Sequence, residues 1–160
     1  MKLDLSMLSP DFSDILSVLA AEHVEFIVVG AFAMAAHRMP RATGDIDVWV
    51  RRDPENAKRV WRALARFGAP VANVEPEEFE LDEFFYQVGV VPHRVDILTA
   101  IDGVTFDEAW AERVYAKLGE HTVPVLSRRH LLQNKRATGR PKDLADVAWL
   151  ESTKVESEDV

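Results

Sequence analysis

"GDIDVWV", residues 44–50, is the stretch on which the reading of this chain turns. Ile46, Val48 and Val50 alternate with Asp45, Asp47 and Trp49, the pattern of a β-strand with one face in a core. Asp45 and Asp47 therefore project to the same side, where two carboxylates raise each other's pKa unless a cation neutralises them. A hard divalent metal is the simplest neutraliser, because Mg²⁺ takes one or two carboxylates together with substrate phosphates. A second segment, "RVDIL" at residues 94–98, repeats the pattern, with Val95 and Ile97 facing one way and Asp96, flanked by Arg94, the other. If the two strands are neighbours, Asp96 joins Asp45 and Asp47. Three acids on adjacent strands suit two-metal, in-line phosphoryl chemistry. The competing reading is a set of edge-strand acids that face water and discourage aggregation.

The rest of the chain frames these strands. A length of 160 residues predicts one domain over residues 1–150, with a polar, acidic tail at 151–160 that frays. Hydrophobic content of 48% and charged content of 29% are those of an ordinary soluble protein. No apolar run approaches the ~20 residues needed to cross a bilayer, and the first residues carry acids rather than a secretory apolar core. Cysteine is absent, which excludes disulfides and thiolate metal sites. These features predict a cytoplasmic protein without membrane contact. The net charge of −8 argues against a broad nucleic-acid surface. Charge is unevenly spread, however: residues 127–142 hold six of the 19 Lys and Arg and no acid, while residues 75–83 hold six acids and no base. Each run alone reads as a solvated face.

Periodicity supplies the remaining elements. Ser9 and Pro10 open a helix carrying Phe12, Ile15, Leu16 and Leu19 at helical spacing. "EFIVVG" is a short strand buried on both faces, and "AFAMAAHRM" a short helix. Asp53 and Pro54 begin a helix with Ala57, Val60, Trp61 and Leu64 on one face and Gly68 near its end. Phe84, Tyr86, Val88 and Val90 alternate along a strand that forms a hairpin with "RVDIL". "FDEAWAER" is a short helix, and "VYAKL" and "HTVPVL" form a second hairpin around Gly119 and Glu120. Ser127 caps a helix that Gly139 ends, and Pro141 starts a last helix with Leu144, Val147 and Ala148 inside. The fold class is α/β with a mixed sheet flanked by helices, closing on C-terminal helices. His37 and His93 lie near the acidic segments, but no pair of histidines has metal-ligand spacing with a third ligand, so both read as structural.

An apolar strand ending in Gly30-Ala31, a short helix, Asp-Ile-Asp 14 residues beyond Ala31 and a third acid on a later strand resemble the nucleotidyltransferase (polymerase β-type) superfamily. Arg41-Ala42-Thr43-Gly44-Asp45-Ile46-Asp47 resembles the form in small bacterial members, including those of abortive-infection and toxin–antitoxin systems. The late segment with Lys135, Arg140, Lys142, Asp143 and Asp146 is also similar to theirs. The resemblance implies an Mg²⁺-dependent transfer of a nucleoside monophosphate from a nucleoside triphosphate such as ATP to a hydroxyl of a protein, tRNA or small molecule, releasing pyrophosphate. Asp45, Asp47 and Asp96 would hold two metals, with Asp96 helping to deprotonate the attacking hydroxyl. Gly30, Ala31, Arg41, Thr43, Lys135 and Lys142 would contact the nucleotide or brace the loop around it. Ala31 stands where the family has Gly or Ser, so only its backbone N–H could meet a phosphate. Two alternatives accompany this reading. One is an aminoglycoside-type antibiotic nucleotidyltransferase, for which the acidic run at residues 75–83 would suit a polycation. The other is a non-catalytic binding protein on the same fold.

Overall fold

Phe26–Val29, four consecutive buried residues, forms β1 in the interior of the sheet. The computed structural model describes residues 10–38, 44–90 and 93–152. Asp45–Val50 (β2) pairs antiparallel with β1, so that Val29 faces Asp47 across the ladder. Arg94–Leu98 (β4) pairs parallel with β2, and Phe85–Val88 (β3) closes that side as the expected hairpin with β4. His121–Val125 (β6) lies parallel to β1 on the other side and pairs with Val114–Leu118 (β5), the second expected hairpin. The six-stranded mixed sheet therefore has the order β3-β4-β2-β1-β6-β5. Both aspartate-bearing strands are interior. The edge-strand explanation of their acids does not apply.

Helices cover the sheet where the apolar spacing demands it. Pro10–Ala21 (α1) buries Phe12, Ile15, Leu16 and Leu19. Gly30–Ala36 (α2) follows β1 without a loop. Pro54–Phe67 (α3) is capped by the Asp53 side chain, which accepts from the Asn56 N–H at 2.7 Å, and ends on Gly68 in the left-handed conformation. Two 3-10 turns, Val71–Asn73 and Pro76–Glu80, then lead to β3, and within the acidic run Phe79 is fully buried. That run is thus not purely a solvated face. Phe106–Ala111 (α4) lays Phe106 edge-on against Trp49 at 5.1 Å, which buries the indole.

Arg128–Thr138 (α5), capped by Ser127, and Pro141–Ser152 (α6) pack together. Here one expectation fails. Leu144 is half exposed and Ala148 exposed; the buried stripe of α6 is Asp143, Asp146, Val147 and Leu150. The helix is turned by a buried cation. Lys135 Nζ on α5 lies 3.2 Å from Asp143 Oδ1 and 3.0 Å from Asp146 Oδ2, so the two carboxylates take the inner positions. Among the described residues no helix is long and apolar enough to cross a membrane.

Candidate active site

In the parallel register of β2 and β4, Asp45 faces Arg94 and Asp47 faces Asp96. All four side chains therefore stand on one sheet face, opposite Ile46, Val48, Val95 and Ile97, which are fully buried. One carboxylate oxygen from each of Asp45, Asp47 and Asp96 lies within 4.8 Å of the others. Asp96 is buried and the other two are half-buried. The sheet carries these like charges because its opposite face supplies the core.

Gly30 closes one side of this cluster. Its φ is +69°, and a Cβ there would lie 2.1 Å from Asp47 Oδ2. Only a glycine backbone fits both the left-handed turn into α2 and the approach to the carboxylate. Ala31 is the second residue of α2 and half-buried. Arg41 and Thr43 lie outside the described residues.

Electrostatics marks the cluster as strained. Burial, then the charge of Asp45, then Asp96 push the Asp47 carboxyl up to about 7. Burial is also the main cause that raises Asp96. Arg94 opposes both. Its Nη2 donates to Asp45 Oδ2 at 2.7 Å and to Asp96 Oδ2 at 3.3 Å. Arg94 Nε lies 3.1 Å from Asp96 Oδ1 but off the hydrogen-bond direction, so that buried oxygen has no hydrogen-bond donor among the described residues. An oxygen-only donor set with one unclaimed buried lone pair fits a hard divalent cation. Arg94 is a site residue beyond those the sequence motifs mark; the signal for it is the two-residue alternation that it shares with Asp96.

The basic segment is arranged differently from expectation. Arg129 pairs with Glu112, Arg136 with Glu151, Arg140 with Asp143, and Lys135 with Asp143 and Asp146. The acids paired with this segment are therefore Glu112, which caps the C-terminus of α4, and Asp143, Asp146 and Glu151 of α6. Burial pushes the Asp143 carboxyl up, but hydrogen bonds from Thr138, Arg140 and Lys135 outweigh it and hold it at about 2. Lys142 is exposed at the start of α6. His37 is fully buried and donates Nε2–H to the Leu126 carbonyl at 2.8 Å, as a structural histidine does. His93 is exposed, 3.9 Å from Asp11.

No family model matches the chain, and none of the curated proteins does. Among solved structures it is similar to a crystal structure described as that of a "putative nucleotidyltransferase" from Thermotoga maritima, at 20% identity with a TM-score of 0.58. The match covers 88% of this chain and 91% of that one. At this identity the likeness speaks to the fold: the chain has a nucleotidyltransferase-like α/β fold.

Proposed function

We propose that this protein is a metal-dependent nucleotidyltransferase that moves a nucleoside monophosphate from a nucleoside triphosphate to a hydroxyl acceptor. The observation that carries the reading is the convergence of Asp45, Asp47 and Asp96 within 4.8 Å on two interior strands of this fold. Bound divalent metal would neutralise phosphate charge and polarise the attacking hydroxyl. Asp45 and Asp47 would hold the ion that meets the β- and γ-phosphates. Asp96 would complete the second site and accept the acceptor's proton. Gly30 lets the backbone come close to Asp47 without steric conflict. Lys142 and the Arg41–Thr43 pair of the motif are candidates for the phosphates. Lys135 already serves two carboxylates.

Incubation with Mg²⁺, each α-phosphate-labelled nucleoside triphosphate and a cell lysate tests the proposal. Label should transfer to an acceptor with the native protein and not with Asp47→Asn; equal labelling by both proteins would exclude the assigned site. A protein or tRNA acceptor, as in the toxin–antitoxin members that the motif resembles, would appear as a labelled macromolecule.

A second acceptor class is favoured by a specific feature. Beyond the C-terminal ends of β2 and β4 a cavity of about 610 Å³ is lined by Asp53, Asp82, Glu83 and Asp107, with Trp49 and Phe106. The lining also holds Arg51, paired with Glu25 and Asp107, and Arg52, paired with Asp82, so its acids outnumber its two arginines and the wall stays net negative. A small polycation such as an aminoglycoside suits that lining, and labelling of a purified aminoglycoside in place of lysate components would select this reading.

A further inference from the structure

The three carboxylates are not left to a metal alone, because Arg94 already stands against two of them. The guanidinium is hydrogen-bonded to Asp45 at 2.7 Å and to Asp96 at 3.3 Å, and its side chain is 31% exposed where that of Asp96 is 4% exposed. It therefore reaches the buried acid from the open side. Its hold on Asp96 is imperfect, since the Nε contact at 3.1 Å is not aligned as a hydrogen bond. A guanidinium cannot be deprotonated at working pH, so the only way to clear these carboxylates is to move it.

We propose that Arg94 is a resident counter-ion of the carboxylate cluster and makes metal loading depend on nucleotide. A divalent cation arriving alone competes with the guanidinium for Asp45 and Asp96 and gives Arg94 no new partner. A cation arriving with a nucleoside triphosphate brings phosphate oxygens, to which a guanidinium binds in bidentate fashion. Arg94 then exchanges a carboxylate for a phosphate, and its charge helps to hold the substrate of an otherwise acidic protein. Metal and nucleotide affinities are thereby coupled, each raising the other by the same factor. This inference rests on the proposed nucleotidyl transfer and specifies how its site is regulated.

Two affinities of Arg94→Gln test it. The first is for Mn²⁺ alone, read from the paramagnetic signal of free ion. The second is for ribose-labelled, non-hydrolysable analogues of the four nucleoside triphosphates at saturating Mn²⁺, read from anisotropy. Loss of one charge-assisted partner predicts about tenfold tighter Mn²⁺ binding and about tenfold weaker binding of the preferred nucleotide. These effects have opposite signs, which a merely structural arginine does not produce. If both affinities fall together, or neither changes, Arg94 only positions the carboxylates and the proposal is overturned. Should Arg94→Gln fold poorly, Arg94→Lys keeps the charge without the fork, and the same opposite-sign pattern, smaller, is expected. If the native protein and Arg94→Gln both bind neither Mn²⁺ nor nucleotide, the nucleotidyltransferase reading falls as well; native binding that Arg94→Gln leaves unchanged sinks this inference alone.

Discussion

A methyl group on residue 30 would sit 2.1 Å from Asp47 Oδ2, so the bare backbone of Gly30 and the carboxylate of Asp47 fix each other's position. Gly30→Ala should lose stability for two separable reasons. The left-handed φ of +69° costs a non-glycine residue about 1–2 kcal/mol. Displacing the Asp47 carboxylate adds a second, separate cost. In denaturant titrations, Asp47→Ala placed on Gly30→Ala should recover the second part and not the first, giving a coupling above about 0.5 kcal/mol. Strict additivity would mean that Asp47 moves aside freely.

Asp47 also sets a pH dependence. Its carboxyl is pushed up to about 7 in the folded protein, above its unfolded value near 3.8. The folded state then bears the full cost of the charged form above about pH 7 and sheds it as pH falls toward 4. Without metal, Asp47→Asn should stabilise the fold by on the order of 2 kcal/mol at pH 8. The gain should vanish below about pH 4. A melting temperature that drops at pH 8 would instead reveal a partner that needs the carboxylate charged.

His37 imposes the opposite slope. Burial lowers its pKa, although the hydrogen bond to Leu126 pulls the other way. The unfolded chain therefore binds the proton more readily, and stability should decline as pH drops below the unfolded histidine value of about 6.5. His37→Gln can still donate to the Leu126 carbonyl and does not titrate. Relative to native protein, it should gain stability steadily between pH 7 and pH 5. A constant difference across that interval would show that His37 does not bind a proton on unfolding.

Much of this was legible because strand alternation and helix caps are local. Asp45, Asp47 and Asp96 each follow from a two-residue period, and the Ser127, Gly68 and Gly139 caps from single residue types. Strand order was not legible. That β4 lies beside β2 with Asp96 level with Asp47 is a non-local pairing that no window of sequence contains. The same limit hid the roles of two cations. Arg94 and Lys135 sit in segments that look exposed or basic, and only tertiary register shows which carboxylates they meet. Leu144 was misplaced for that reason, since apolar periodicity does not foresee that a buried lysine will draw Asp143 and Asp146 inward.

Lys135 offers the sharpest separation of stability from function. It is buried with Nζ held between Asp143 and Asp146, and Asp143 also accepts from Thr138 and Arg140 at 2.6 Å each. Removing one member of a buried ion cluster typically costs about 3–5 kcal/mol because the remaining charges lose their compensation. Lys135→Ala should fall at the lower end, since Thr138 and Arg140 stay on Asp143. The loss should be greatest at neutral pH. Asp143 is held at about 2, so its contribution is present above the unfolded value near 3.8 and disappears as pH falls through 2. Native and variant stabilities should therefore draw together as pH falls below about 4 and converge only near pH 2. Nucleotide affinity of the folded variant, measured at low temperature, should stay within about threefold of native, because the ammonium has its partners inside the α5–α6 pair. A tenfold loss would show instead that Lys135 leaves Asp143 and Asp146 when a triphosphate binds, and that the basic segment serves the substrate after all.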